Sequence, residues 1–555
     1  MNLLAKRGGF RHHVRMVTPA FSDCINKLGV DEKDVIPFGR NKAKISLDVL
    51  DKPAAPGKLI LVSAITPTPS GEGKTTVSIG LAQGLQAIGK KVCLALRQPS
   101  MGPVFGRKGG ATGGGKSSLT PADEITMHFT ASFHAITSAH NLISAIIDNA
   151  MFFHTLNIDE RKVIWKRVMD MNDRSLRSII VGLNKQGFPR ETGFDITPAS
   201  AITARLCLAT SYKDMEERIN RIVIGFTTDD KPVFVRELGI TGSVMALLKD
   251  ALMPNLVQSV EGVPCFLHGA PFAKIAHGCI SLLATRMALH FGEYAVTEAG
   301  FAFDLGAEKF LDIKCRQSGL DPAAIVIVAT ARALKMHGGT ALADLKNTDV
   351  DALKKGLANL DAHLDAAAHY KRPVVVAVNK FFDDSREELD AIVKHCAERG
   401  IPCAIADIFS QGGEGGKDLA QMVVEAADRS SAPFKPLYES ALPVEEKLNI
   451  IARNIYGADG VELTAAAKKK LAQFEASRLT DLPVCMAKTQ NSLSDNGRLR
   501  GRPTGFTITV RDFEIANGAG FLVALCGEIM RMPALPVSPN AMHIYLDDKG
   551  NVQGL

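Results

Sequence analysis

The sequence predicts an α/β fold, in which a mostly parallel sheet is covered by helices and smaller α/β units are added to it. Short apolar runs rich in β-branched residues recur along the chain: "LILVSAI", "KVCLAL", "RIVIGF", "AIVIVAT", "PVVVAV" and "CAIADIF". Longer stretches with helical spacing of apolar residues separate these runs. Buried strands that alternate with helices are typical of βαβ units, which build parallel sheets.

The chain of 555 residues is too long for one ordinary core, so about two to four domains are expected. We predict three. The first covers residues 1–345 and holds most of the apolar runs. The second covers 346–455 and begins near a charged helical stretch, and the third covers 456–555 and contains the strand patterns "GFTITVRDFEI" and "GFLVALCG".

Composition narrows the class of protein. Apolar residues make up 46% and charged residues 22%, which predicts a soluble globular protein, and no apolar run reaches membrane-spanning length. The net charge of +6 is a mild excess that suits anionic small ligands. A nucleic-acid partner is not expected, because dense Lys/Arg blocks and basic-aromatic repeats are missing from the sequence.

Cysteine usage and the N-terminus bear on the compartment. None of the ten cysteines forms a CxxC pair, and several lie in apolar runs, so we interpret them as buried thiols in a reducing compartment. The first 16 residues, "MNLLAKRGGFRHHVRM", are basic and lack the apolar core of a secretory signal. They are either an organelle-targeting segment or a disordered extension. We favour the extension and a cytoplasmic protein.

The stretch "TPTPSGEGKTT" (66–76) lies between an apolar run and a helical pattern. It ends like the phosphate loop G-x-x-x-x-G-K-[ST], but Thr68 stands at the first glycine position. Glycines still allow backbone N–H groups to curl around phosphate oxygens. We therefore predict a P-loop NTPase-like core, with Lys74 on the β/γ-phosphates and the Thr75 hydroxyl on Mg²⁺. The alternative is a glycine-rich turn with a chance "GKT". The candidate nucleotide-binding residues are Thr68, Pro69, Ser70, Gly71, Glu72, Gly73, Lys74 and Thr75.

Arg97 follows the next apolar run, "KVCLAL", and enters a loop that contains "GGATGGG" (109–115). The carboxyl ends of neighbouring parallel strands lie side by side, so Arg97 is predicted to lie near Lys74. There it could hold a phosphoryl group or a carboxylate through two hydrogen bonds. The alternative is a surface arginine at a strand end.

These motifs continue over nearly the whole chain, and together they resemble the formate–tetrahydrofolate ligase family, also called 10-formyltetrahydrofolate synthetases. The stretches that carry the resemblance follow in chain order: "TPTPSGEGKTT", "PSMGPVFGRKGGATGGG", "LNIDERKVIWKRVMDMNDRSLR", "PRETGFDITPAS", "HGAPFAKIAHGC", "TEAGFAFDLGAEKFLDIKCR", "GGEGG", "IYGADGV" and "PVCMAKTQNSLSD…GRPTGFTITVR".

The resemblance implies a reaction: ATP phosphorylates formate, and N10 of tetrahydrofolate attacks the formyl phosphate. It also implies Mg²⁺, activation by a monovalent cation and a homotetramer. Lys74 and Thr75 match the family's nucleotide loop, Arg97 its formyl-phosphate clamp and His128 a histidine near the same site. Phe381 and Phe409 match aromatics around the pteridine ring, and Phe409 stands where the family usually has Trp. Without the resemblance, His128 would be read as structural and both phenylalanines as core.

The stretch "EAGFAFDLGAEKFLDIKCR" (298–316) is dense in charge. On a helix, Asp304 and Glu308 share a face, as do Glu308 and Asp312. Such carboxylates indicate a cation, a partner charge or plain solvation. The resemblance favours an interior segment near the nucleotide site.

Several positions depart from the family pattern: Gln98 replaces an acid, Lys116 a tyrosine, Ala131-Ser132 a Gly-Asp pair, Lys274 and Ile280 asparagines, and Asn491 a tyrosine. The lost carboxylates at 98 and 132 are the most consequential, because they lie in motifs near the chemistry. Two alternatives to the ligase therefore stay open. One is a paralogue with altered or lost activity that binds nucleotide or folate, and the other is a P-loop ATPase or kinase with another acceptor.

Overall fold

A computed structural model describes residues 17–107, 109–110, 112–430, 432–476 and 480–555. The predicted N-terminal extension, 1–16, lies outside the described residues. The predicted α/β fold is confirmed: a large, mainly parallel central sheet is surrounded by helices.

Twelve strands form the central sheet. In chain order they are β1 Val35–Pro37, β2 Ala43–Ile45, β3 Lys58–Ala64, β4 Val92–Leu96, β5 Gly113–Gly114, β6 Ser117–Thr120, β7 Asn255–Ser259, β8 Pro264–Leu267, β9 Tyr294–Glu298, β10 Pro322–Ala329, β11 Val374–Asn379 and β12 Cys403–Ala406. In space the order is β1-β2-β7-β8-β4-β9-β3-β10-β11-β12, and the β5–β6 hairpin joins β7. All pairs from β8 to β12 are parallel, so seven strands end at one edge, called the carboxyl edge below.

The central strand β3 is buried on both faces, which explains its continuous apolar sequence. Its side chains alternate between two cores. Leu59 and Leu61 pack in one core, and Ile60 and Val62 pack in the other with the helix that follows the strand. This alternation is the period of two that a strand requires.

The α-helices cover the sheet and build the remaining layers. They are α1 Pro19–Leu28, α2 Lys74–Ala87, α3 Met101–Gly106, α4 Ala122–Thr126, α5 Ser132–Phe152, α6 Ala201–Leu208, α7 Tyr212–Asn220, α8 Thr241–Leu248, α9 Leu282–Phe291, α10 Arg316–Ser318, α11 Ala331–Gly338, α12 Val350–Ala368, α13 Arg386–Glu398, α14 Ile408–Gln411, α15 Lys417–Asp428, α16 Val444–Ile451 and α17 Ala465–Ala476. Among the described residues, every helix is too short or too polar to cross a membrane.

Smaller sheets lie outside the central one. They pair Arg167–Met169 with Phe194–Ile196, Ile179–Val181 with Arg190–Thr192, Val223–Phe226 with Pro232–Phe234, Gly460–Leu463 with Thr507–Val510, Tyr545–Leu546 with Val552–Gln553, and Phe521–Leu525 with both Val484–Ala487 and Asp512–Ala516. The central sheet takes strands from both sides of residue 345. The division into three domains stays a prediction.

The charged stretch after β9 is interior. It forms two π-helical segments, Phe303–Ala307 and Phe310–Cys315, in which every residue is buried. Asp304 pairs with Lys488 at 2.8 Å, and Asp312 accepts hydrogen bonds from the Tyr370 hydroxyl and the Leu437 amide, both at 2.6 Å. Solvation is therefore not the reason for the charges: neighbouring segments satisfy most of them.

Glu308 is the exception, because neither carboxylate oxygen finds a hydrogen-bond partner among the described residues. Burial, and then the nearby Asp312 carboxylate, raise the pKa of Glu308 well above its ordinary value. An acid whose pKa is higher in the folded state destabilises the fold as pH rises above the unfolded value. Glu308→Gln is therefore expected to flatten the fall in stability between pH 5.5 and pH 8, by at most roughly 1.4 kcal/mol per pH unit.

Thermal unfolding at the two pH values checks this prediction. The matched control is Glu216→Gln, which changes an exposed carboxylate and should leave the profile as it is in the parent chain. A Glu308→Gln protein whose midpoint falls with pH as steeply as that of the parent would show that Glu308 is not held protonated.

Candidate active site

The predicted phosphate loop, Thr66–Gly73, joins β3 to α2 at the carboxyl edge. Gly71 and Gly73 have φ of +83° and +72°, the left-handed region that favours glycine. A Cβ at Gly73 would lie 2.4 Å from Nδ2 of Asn379, so this turn has no room for a side chain. Thr68 is outside the left-handed region, which explains why no glycine is needed at the first position of the motif.

Glu72 fixes the shape of the loop. Its buried carboxylate accepts hydrogen bonds from the Thr68 amide, at 2.7 Å, and from the Thr330 hydroxyl at the end of β10. Its carbonyl accepts from Nδ2 of Asn379 at 3.1 Å. Thr68 and Glu72 therefore stabilise the conformation of the loop through hydrogen bonds inside it and to neighbouring residues. Pro69, Ser70 and Gly71 form its exposed rim, and Lys74 and Thr75 are the half-buried first residues of α2.

Glu298 links the loop to Arg97. It ends β9, which lies between β4 and β3 in the sheet. One carboxylate oxygen accepts from the Thr75 hydroxyl at 2.9 Å, and the other lies 3.4 Å from a terminal nitrogen of Arg97. β4 and β3 are thus not adjacent strands, and the carboxylate spans the gap between them. Sequence reasoning did not select Glu298 as a site residue, although an acid at the end of the apolar run "YAV" was the available signal.

Thr75 and Glu298 together offer a hydroxyl and a carboxylate oxygen. Within the described ranges, no group of three His, Cys, Asp or Glu residues could hold a metal ion. Mg²⁺ is usually held by one or two protein oxygens, with substrate phosphates and waters completing the octahedron. The residues present fit that pattern, with Thr75 as the predicted ligand and Glu298 beside it.

The two predicted aromatic residues lie at the same edge. Phe381 follows β11, and the Arg332 guanidinium lies 4.2 Å from the centre of its ring. Phe409 is on α14, after β12, and is 56% exposed, so it is not a core residue. Its ring packs on the glycine hairpin, because a Cβ at Gly114 would lie 3.0 Å from the ring. Exposed Lys116 donates its amide to the Phe409 carbonyl at 2.9 Å.

His128 is exposed and lies in the turn between α4 and α5, not on a helical face. None of the described residues forms a hydrogen bond with its imidazole. The structure thus gives His128 no structural partner and does not join it to Lys74 or Arg97 by a contact. Its place in the site stays a prediction.

Two departures from the family pattern, Gln98 and Ser132, meet in one buried network around Lys44. The Lys44 ammonium donates to Oδ1 of Asn255 at 2.8 Å and to the Ser132 hydroxyl at 3.3 Å. Asn255 in turn lies 3.5 Å from Oε1 of Gln98, the residue after Arg97. No described carboxylate forms an ion pair with Lys44. Burial lowers the pKa of Lys44 to about 7, against a smaller opposing effect of Asp250.

The other departures lie in different surroundings. Ile280 is fully buried, Lys274 is half-buried and Asn491 is exposed. Burial, and then Lys309, lower the pKa of Lys274. The loop, Thr75, Arg97, Phe381 and Phe409 therefore all lie at the carboxyl edge. Gln98 and Ser132 lie in the buried network around Lys44.

A family model described as formate–tetrahydrofolate ligase matches residues 15–555, essentially the whole chain.

Proposed function

Because the chain belongs to the formate–tetrahydrofolate ligase family of ATP-dependent ligases, we propose that it makes 10-formyltetrahydrofolate, ADP and phosphate through formyl phosphate. A formate oxygen attacks the γ-phosphorus of ATP, the bond to the β-bridging oxygen breaks, and ADP leaves. N10 of tetrahydrofolate then attacks the formyl carbon, the C–O bond breaks, phosphate leaves and N10 loses its proton.

The residues at the carboxyl edge suit the first step. Lys74 and the backbone N–H groups of the loop hold the triphosphate. Thr75 and Glu298 would hold Mg²⁺, which would supply positive charge to offset the charge of the transferring phosphate. Arg97 binds the transferring phosphoryl group and the formyl phosphate. The observation that carries this proposal is the Glu298 carboxylate, which brings Thr75 and Arg97 to one point.

The second step needs the amine close to the formyl carbon. We assign Phe381 and Phe409 to the pteridine ring, because flat aromatic side chains stack on a flat heterocycle. His128 is assigned to the neighbourhood of the reacting groups on the family resemblance alone. Holding two reactants in place can supply roughly 7–11 kcal/mol of barrier reduction.

The family also implies a homotetramer and activation by a monovalent cation, and we propose both for this chain. We propose the cytoplasm as its compartment, because each of the ten cysteines is a free thiol. The three-domain division, with the phenylalanines on 346–455, belongs to the same proposal.

One assay tests the function: ADP release with and without formate, and with and without tetrahydrofolate. Dependence on both substrates supports the ligase. ADP release at the same rate with and without formate would favour an ATPase or kinase with another acceptor. Nucleotide binding without turnover would favour an altered paralogue, and the Lys44 network without a carboxylate is the observation that keeps this alternative open.

The same network gives a gain-of-function prediction. Gln98→Glu with Ser132→Asp places carboxylates beside Lys44 and next to Arg97, and we expect ligase activity, if weak in the parent chain, to rise about tenfold, the effect of one charged hydrogen bond. Steady-state rates of formate-dependent ADP release check this. The matched control keeps Gln98 and carries the single substitution Ser132→Asn, because asparagine has the shape of aspartate without its charge. Equal rates in parent, control and double variant would mean that these departures do not limit the chemistry.

A further inference from the structure

A cavity of about 590 Å³ lies between the segment that contains α5–α6 and the C-terminal strands. None of the described residues assigned to the nucleotide or folate site lines it. Its walls come from Trp165, the 194–205 segment, Phe474 and the 514–532 segment. The volume is that of a small-molecule site.

Arg205 on α6 lines this cavity and is 3% exposed. Its Nη1 donates to the Ala201 carbonyl at 2.7 Å, but its Nε has no hydrogen-bond partner among the described residues. Burial, and then Arg218 and Arg221, lower the pKa of Arg205 to about 9. A buried guanidinium without a carboxylate is costly, and an anion in the cavity would relieve that cost.

The acids of the cavity are already paired with other cations. Asp195 lies 3.9 Å from Lys166 and 3.7 Å from Arg531, and Glu514 also pairs with Arg531. Five basic residues line the cavity against these two acids: Lys166, Arg177, Arg205, Lys470 and Arg531. Lys470 is paired at 3.0 Å with Asp512, which does not line the cavity, so four basic residues remain against the two acids. The excess positive charge selects an anion.

Apolar and aromatic side chains form most of the remaining wall, to which Ser200 and Gln473 also contribute. Trp165 stacks on His140 with ring centres 4.0 Å apart. Phe194, Phe474 and Phe521 line the cavity too. Burial lowers the pKa of His140 to about 3, so this ring is neutral at pH 7 and acts as part of the aromatic wall.

We propose that this cavity binds a small organic anion whose ring-sized apolar body lies among the aromatic side chains and whose carboxylate pairs with Arg205. The site is separate from the proposed ligase centre. Its binding can be measured without ATP, formate or tetrahydrofolate, so the two proposals can fail independently.

The chain supplies its own reporter, because Trp165 is the single tryptophan and lines the cavity. The probe is 4-nitrobenzoate, an aromatic carboxylate whose nitro group quenches indole fluorescence at short range. The expected result is saturable quenching of Trp165 in the full-length protein, with Kd raised about tenfold or more in Arg205→Met, as for a lost charge-assisted hydrogen bond. Neutral nitrobenzene should bind the parent and Arg205→Met equally.

Arg221→Met is the matched control, since it removes a nearby arginine that does not line the cavity. Equal Kd values for 4-nitrobenzoate in the parent and a folded Arg205→Met protein would overturn the proposal, as would quenching that never saturates. If Arg205→Met does not fold, a crystal of the parent soaked with 4-nitrobenzoate decides the matter. Its carboxylate must lie within hydrogen-bond distance of Arg205, and a molecule bound only elsewhere overturns the proposal.

Discussion

Lys74→Ala is expected to reduce formate-dependent ADP release by about a thousandfold or more, with the fold intact. Lys74 is the first residue of α2, where an ammonium beside the helix N-terminus can hold the charge of a transferring phosphoryl group. Removing one such preorganised donor costs about 10²–10³ in kcat, and Lys74 carries a full charge. Rates measured at saturating ATP, formate and tetrahydrofolate check this.

Lys91→Ala is the control, because this exposed lysine lies beyond the opposite end of α2. It should keep the parent rate. Near-parental turnover in a folded Lys74→Ala protein would defeat the assignment of residues 66–76 as a phosphate loop.

Arg97→Met is expected to lower kcat by about 10³-fold, the lower range for an arginine that stabilises a phosphoryl transition state. The KM for ATP should change little, because Lys74 and the loop still hold the nucleotide. Arg97 and Thr75 contact different oxygens of the Glu298 carboxylate. Removing the guanidinium should therefore weaken stabilisation of the transferring phosphoryl group and leave the loop residues in place. Full steady-state kinetics with each substrate varied in turn separate kcat from KM.

Arg97→Lys supplies the comparison. Lysine keeps the positive charge but loses the planar pair of donors, and we expect it to recover only a small part of the rate. If Arg97→Met changed the KM for ATP and left kcat intact, Arg97 would be a binding residue for the nucleotide and the proposed clamp would be wrong.

Much of the fold was predictable because its strands are buried on both faces and read as apolar runs. β3, β4, β10, β11 and β12 all coincide with such runs. Strand order was not predictable. β9, whose sequence comes some 200 residues after β4, inserts between β4 and β3, and only long-range packing decides this.

The candidate site also contains residues that local sequence reveals and residues whose role depends on contacts remote in sequence. The predicted phosphate loop could be recognised from local spacing, since Gly71, Gly73 and Lys74 lie within four positions of one another. Glu298 was not selected, because an acid after the run "YAV" is a weak local signal and its role depends on contacts with residues more than 200 positions away. The charged stretch was ambiguous for a related reason: its partners, such as Lys488 and Tyr370, are remote in sequence and invisible to helical periodicity.

The two-sided burial of β3 has a consequence for where the molecule opens. Ile60 and Val62 share one core with Val77 and Ile79 of α2, so the strand before the predicted phosphate loop and the helix after it belong to a single packed unit. Local fluctuations free only segments with few buried contacts. Amide hydrogens in the middle of β3 and α2 should therefore exchange with solvent deuterium only when this core unfolds, and more slowly than the amides of the surface loops around it.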